Sequence, residues 1–192
     1  MPARERPRRP HGFTLVELIT VIVLVAVVGA MAAPRFFERQ TFDARSYADQ
    51  VQAMLRYAQK LAVAQGQPVY VRLDGNSVAL CRAYASDPLR PQCSPANQVP
   101  PPAGNNSASS ATLAACANQT GWYCEGRPNG VTQVANPVTA YFYFDPLGKP
   151  FAAADVSPTT VSTFPARLQL TISGGGNVRS LFVESETGYV YQ

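Results

Sequence analysis

A chain of 192 residues suits one domain plus an anchor and leaves no room for two full soluble domains. Its formal charge is +4, but of 16 basic and 12 acidic residues, Arg4, Arg6, Arg8, Arg9 and Glu5 all precede residue 13, so the remainder carries 12 against 11 and lacks the basic excess of an electrostatic nucleic-acid footprint. The single histidine, His11, lies in the same leader, which removes the usual general base and commonest metal ligand from the body and argues against a hydrolase triad, a zinc site or any catalytic role.

From Phe13 to Ala33 every residue is apolar or small except Thr14, Glu17 and Thr20. As a helix this run reaches about 30 Å, enough to span a membrane. The preceding arginines favour a cytoplasmic start, so everything after Ala33 is expected on the far, oxidising side. Glu17 is the anomaly, since a carboxylate near the middle of a spanning helix costs roughly 2.5 to 3.5 kcal/mol and needs a partner. Pro34 removes a helix hydrogen bond and is expected to kink or end the helix. Residues 34–66 then continue as an amphipathic segment, with Tyr47, Val51, Met54, Leu55, Ala58, Leu61 and Ala62 recurring at three- and four-residue steps. Asp49, Gln52, Arg56 and Lys60 fall between them. Gly66 supplies a C-terminal cap and Pro68 blocks resumption.

The β-rich body follows over residues 67–192. PVYVRLDGNSVALCRA reads as a hairpin about Asp74-Gly75. From about residue 84 to 137 the chain turns rich in Pro, Ala, Asn and Ser and reads as a surface insert, too long for an ordinary connection. Within it the prolines at 100–102 read as extended, and GWYCEG as a short strand pinned by Cys124. VTAYFYFD, then RLQLTIS and NVRSLFVES around Gly174-Gly175-Gly176, read as antiparallel strands, and ETGYVYQ as a turn and short edge strand. The expected class is therefore α+β, a long kinked N-terminal helix on an antiparallel sandwich or paired sheets. Cys81, Cys93, Cys116 and Cys124 lack C-x-x-C spacing and read as two structural disulfides. Three pairings are open; short loops close most easily, which favours Cys81 with Cys93 and Cys116 with Cys124.

RPHGFTLVELITVIVLVAVVGAMAAP resembles the N-terminal region of type IV pilins and type II secretion pseudopilins. The resemblance implies a leader, residues 1–12, cut by prepilin peptidase between Gly12 and Phe13, and an N-methylated Phe13. It also implies a helix that kinks at Pro34, a pilin-like fold, and no cofactor. Cutting creates an α-amino group of reference pKa about 8 at the start of an apolar helix. Glu17, four residues on and near the positive end of the helix dipole, suits such an amine. In the family that amine belongs to a neighbouring subunit. Leu15, Leu18, Ile19, Ile22, Leu24 and Val28 would then bundle against other pilin helices.

FDARSYADQVQAMLRYAQKLAVAQGQPV, FDPLGKPF and ETGYV are similar to segments of minor pilins of the mannose-sensitive haemagglutinin pilus, within the FimT-like and H-type pseudopilin group. That implies a minor pilin that helps initiate or cap a fibre. It would sit first as a single-pass protein of a bacterial inner membrane with its C-terminal domain in the periplasm, then in the pilus or pseudopilus.

Competing readings are a secretory signal peptide cut at Ala30-Met31-Ala32 and an uncleaved anchor, both of which leave Glu17 unexplained. In other roles, Arg167, Arg179 and Lys149 could meet DNA, as in FimT-like DNA uptake, or the chain could serve as a type II pseudopilin. Trp122 and Tyr123 could be exposed aromatics for a sugar or base, against the alternative of core packing beside Cys124.

Overall fold

A computed structural model of the chain describes residues 14–82, 93–155 and 159–192, with side chains described outside 31–38. The chain forms two compact units, Met1–Phe37 and Glu38–Gln192. Helix α1 (Leu15–Gln65) contributes to both.

In the first unit α1 carries only exposed side chains from Leu15 to Ala30. The backbone stays helical through Pro34, so this proline does not end the helix. Among the described residues no helix is long and apolar enough to cross a membrane. Residues 15–30 rise roughly 24 Å, short of a hydrocarbon core of about 30 Å. The expected span also needs Phe13, which lies outside the described residues, and Met31–Ala33, whose side chains do.

In the second unit the remainder of α1 buries Ala44, Tyr47, Ala48, Val51, Met54, Leu55, Ala58 and Ala62, while Leu61 lies half-buried at the margin. This is the face its periodicity marks. α1 ends where Gly66 adopts φ 63°, and the Gln67 amide donates to the Ala62 carbonyl at 3.3 Å, closing the last turn.

The strands are β1 (Val69–Leu73), β2 (Ser77–Cys81), β3 (Cys124–Gly126), β4 (Thr132–Asn136), β5 (Tyr141–Phe144), β6 (Pro150–Ala152), β7 (Arg167–Gly174), β8 (Asn177–Glu184) and β9 (Val190–Tyr191). A five-stranded sheet runs β3-β2-β1-β5-β6 and a four-stranded sheet runs β4-β7-β8-β9, all pairs antiparallel. The architecture is α+β, with α1 packed on antiparallel sheets. Val69, Val71, Val78, Leu80, Phe142 and Phe144 of the first sheet share one core with Leu168, Leu170, Ile172, Leu181, Val183 and Val190 of the second and with the buried face of α1. The β1–β2 hairpin turns through four residues, because Leu73 pairs with Val78. Only Gly75 in that turn has positive φ, while the Asp74 carboxylate accepts from the amides of Asn76 and Ser77.

The surface-insert reading of residues 84–137 needs correction from Cys93 onward. Its two short strands, β3 and β4, form an edge of each sheet. Pro101 is buried and its carbonyl accepts from the Gly104 amide, so the proline run enters a turn rather than staying extended. A further short helix, α2 (Ser110–Ala115), is capped by the Ser109 side chain. Together these segments cover the outer face of the first sheet, where Ala79, Cys81, Cys116, Trp122 and Cys124 form a second buried cluster. β3 lies within GWYCEG, the stretch read as a short strand, whereas the five polar-rich residues of β4 leave too little alternation to be read from sequence.

Candidate functional site

The first candidate surface is the start of α1. Thr14 Oγ1 accepts the Glu17 amide at 3.2 Å, the geometry of a threonine N-cap, and Thr20 Oγ1 donates to the Glu17 carbonyl at 2.9 Å. Sequence reasoning passed over this cap, although Thr-x-x-Glu ahead of an apolar run is its usual signature. Among the described residues nothing bonds the Glu17 carboxylate, and Glu17 is exposed. Around it Leu15 (74% exposed), Leu18, Ile19, Ile22, Leu24 and Val28 are all exposed too. A continuous apolar helical surface with one unpaired acid in its first turn marks an interaction surface, since isolated soluble surfaces seldom carry apolar patches of this extent. Gly12 and Phe13 lie outside the described residues, as does the side chain of Pro34.

The four cysteines form Cys81–Cys93 and Cys116–Cys124, with Cα separations of 5.5 and 5.9 Å and no free thiol. Trp122 is 3% exposed, donates its indole N–H to the Leu80 carbonyl at 2.8 Å and lies under the Arg72 guanidinium. Tyr123 is half-buried, edge-on to Tyr57. The exposed-aromatic reading of this pair is thereby overturned: Trp122 is the centre of the cluster between the disulfides, and its N–H is satisfied within the fold. Sequence reasoning missed Glu125, which is 6% exposed and accepts from the Ser107 amide, Ser107 Oγ and Thr112 Oγ1 at 2.8, 2.5 and 3.0 Å. These bonds tie α2 and its leading loop to β3. Among the described residues no three of His, Cys, Asp and Glu gather as a metal site.

FDPLGKPF and ETGYV meet in space. The first is the β5–β6 turn and the second the β8–β9 turn, and Gln59 Nε2 of α1 donates to Gly148 O at 3.1 Å and to Thr187 O at 2.7 Å. Gly148 and Gly188 take φ 81° and 64°, and a Cβ on Gly188 would sit 2.1 Å from Gly148 O. Both motifs are therefore parts of one interlocked pair of turns that stabilises the fold.

The three basic residues considered for DNA do not form a patch. Lys149 Nζ is 2.9 Å from Glu186, Arg179 donates to Gln192 at 2.6 Å, and the Arg167 guanidinium lies over the Phe182 ring. By strand alternation Arg167 and Arg179 project from opposite faces of their sheet. Burial raises the Tyr143 hydroxyl to about 12, and that hydroxyl donates to the Asp155 carbonyl at 2.7 Å. Burial also raises Tyr47, whose hydroxyl donates to Gln133 at 2.7 Å.

A prokaryotic N-terminal methylation motif matches residues 7–33. No curated protein matches the chain. Two crystal structures of the type IV minor pilin FimU of Pseudomonas aeruginosa PAO1 are similar to it at 19% and 17% identity, over 81% and 77% of this chain and 90% of theirs, with TM-scores of 0.45 and 0.44.

Proposed function

We propose that this chain is a minor subunit of a type IV pilus or closely related fibre, of the mannose-sensitive haemagglutinin type, that acts in assembly and carries out no catalysis. Prepilin peptidase removes residues 1–12, Phe13 becomes the methylated N-terminus, and the apolar half of α1 holds the protein in the inner membrane until it joins the fibre. One observation carries the reading: within the methylation motif, a carboxylate with no partner among the described residues stands in the first turn of α1, and the other large side chains from Leu15 to Val28 are apolar and exposed.

Packing of Leu15, Leu18, Ile19 and Ile22 against neighbouring helices supplies association without specifying axial position. Pairing of Glu17 with a neighbour's α-amino group adds register, because two buried charges tolerate no sliding.

Two measurements test this. Mass spectrometry of the membrane-extracted protein is expected to find N-methyl-Phe13 only in cells with prepilin peptidase; an N-terminus at Ala33 refutes it. Glu17→Ala should stay in the membrane, since removing the acid favours insertion by roughly 2.5 kcal/mol. The same change should cost about 3 to 5 kcal/mol of assembly and remove the protein from sheared fibres. Normal recovery of Glu17→Ala in fibres that contain the wild-type protein rejects the pairing.

A further inference from the structure

The edge strands of the two sheets are β3 and β6 in the first and β4 and β9 in the second. Other parts of the fold close three of these edges. At β3 the Gly126 amide donates to Thr112 Oγ1 of α2 at 3.0 Å. At β6 Ser162 Oγ donates to the Pro150 carbonyl at 2.8 Å, and the Ala152 amide donates to the Asp155 carboxylate at 2.9 Å. At β9 the Val190 carbonyl accepts from Arg56 of α1. β4 instead pairs with β7 on one side, and among the described residues nothing bonds the backbone of its other side. In an antiparallel ladder alternate residues turn their N–H and C=O groups away from the partner, so β4 presents a row of open donors and acceptors. Folds commonly blunt such an edge with a charge or a proline, but Thr132–Asn136 contains neither, and its outward side chain Val134 is apolar and 58% exposed.

The open edge borders a groove of about 300 Å³, lined by residues 133–135 of β4, by residues 73–75 of the β1–β2 turn and by residues 138–140 on the way to β5. Its sides are braced. Arg127 donates to the Gly75 carbonyl at 2.9 Å and to the Val131 carbonyl, which ties the turn to the start of β4, and the Leu73 amide donates to the Ala140 carbonyl at 2.7 Å. Gln133 is 8% exposed, and its Oε1 accepts from the Tyr47 hydroxyl at 2.7 Å. Among the described residues its Nε2 donates to nothing, which leaves those N–H groups to whatever enters the groove. We propose that this edge receives an extended, uncharged segment of a neighbouring, non-identical fibre subunit, added beside β4 as a further strand of the second sheet. That the partner is a fibre subunit rests on the function proposed above.

The chemistry of the edge selects this occupant. A row of alternating N–H and C=O groups at strand spacing is matched by another extended backbone, and the side chains beside it then decide which segment fits. Val134 and the 95% exposed Val138 favour apolar residues on the incoming strand. Asp74 is the one charged residue lining the groove, and its carboxylate already accepts from the amides of Asn76 and Ser77 and stands 3.2 Å from Arg72 Nε. A charged segment therefore finds no counter-ion there. A loop or terminus suits the approach better than a second copy of this chain does. The edge of an identical sheet would bring its own β1–β2 turn and its own residues 138–140, which meet their counterparts before the two β4 strands reach a spacing of about 4.8 Å.

The test has a solution arm and a cellular arm. In the first, the full-length processed protein in detergent is titrated with the acetylated, amidated peptide Ser-Val-Thr-Val-Thr-Val-Ser and followed by amide NMR. Saturable shifts are expected at residues 133–135 and 138–140, with slowed amide exchange in β4, and the same peptide with proline for its central valine should produce neither. Val134→Lys puts a charge on the edge at an exposed position, so it should abolish the shifts and leave the urea midpoint unchanged. In the second, p-benzoylphenylalanine replaces Val134 in cells that build the fibre, and irradiation should join this chain to a different fibre subunit, with the joined peptide mapping to a loop or terminus. Absence of β4 shifts with the alternating peptide, shifts retained in Val134→Lys, a photoproduct joining two copies of this chain, or no photoproduct from fibres that contain the labelled protein overturns the proposal. Absence of the wild-type protein from fibres would instead refute the assembly role, and the peptide arm then judges the edge alone.

Discussion

Gly188→Ala should be among the most damaging single-methyl additions in the second unit. At φ 64° an alanine pays roughly 1 to 2 kcal/mol for the left-handed backbone. Its Cβ would also lie 2.1 Å from Gly148 O and 2.7 Å from Gln59 Nε2, so the two turns must separate. Separation breaks the Gln59 bonds to Gly148 and Thr187, each worth about 1 kcal/mol. The total is about 3 to 4 kcal/mol, a large share of a typical stability of about 5 to 15 kcal/mol. Gly176→Ala is the internal control: φ is 80°, but nothing lies within 4 Å of the added Cβ, so only the backbone cost of about 1 to 2 kcal/mol applies. In urea denaturation, with a slope of about 2 kcal/mol/M, the midpoint should fall by about 1.7 M for Gly188→Ala and about 0.7 M for Gly176→Ala. Equal shifts would refute the interlocked-turn argument, because the backbone cost is common to both.

The other expectations concern the braced flank and the buried hydroxyls. Thiol titration of the denatured, unreduced protein should find no free cysteine, and reduction should lower stability by about 2.5 to 3 kcal/mol per bridge from loop-closure entropy; two reactive thiols would contradict the pairing. Trp122→Phe should cost about 0.5 to 1.5 kcal/mol, the net worth of one hydrogen bond, because the Leu80 carbonyl keeps its bond from the Val99 amide; the urea midpoint reads it, and an unchanged midpoint would show the indole bond to be dispensable. Tyr143 is raised in the folded state to about 12, so its contribution is complete below pH 10 and is lost as pH rises from 10 towards 12, at about 1.4 kcal/mol per unit. The urea midpoint should therefore fall as pH rises over that range, and a flat stability profile from pH 10 to 12 would refute it.

The elements legible in sequence were those with long, clean periodicity. The α1 face from Tyr47 to Ala62 and the alternation of Leu168, Leu170 and Ile172 match the observed burial because each repeats its signal several times. β3 was legible within GWYCEG, whereas β4 escaped because it is short and its pairing is decided by a distant strand, β7. Trp122 was ambiguous for a different reason: composition cannot say which face of a sheet a loop will cover. Glu17 stands apart, since the anomaly is visible in sequence while the partner inferred for it belongs to another chain. The Thr14 cap was readable in Thr-x-x-Glu, and the unusual acid three residues later drew attention from it.

The polar residues between the core positions of α1 have a role that periodicity alone conceals. Asp49 and Gln52 accept from Gln192, Arg56 donates twice to the Val190 carbonyl, and Gln59 donates to Thr187. Their spacing of three, four and three residues places them on one flank of the helix. The strand they hold, β9, has two residues and two register pairs to β8, too few to secure it alone. The helix flank therefore completes the hydrogen bonding of the C-terminal strand. Tyr189 and Tyr191 alternate with the gripped Val190, so the same bonds fix the backbone from which both rings project.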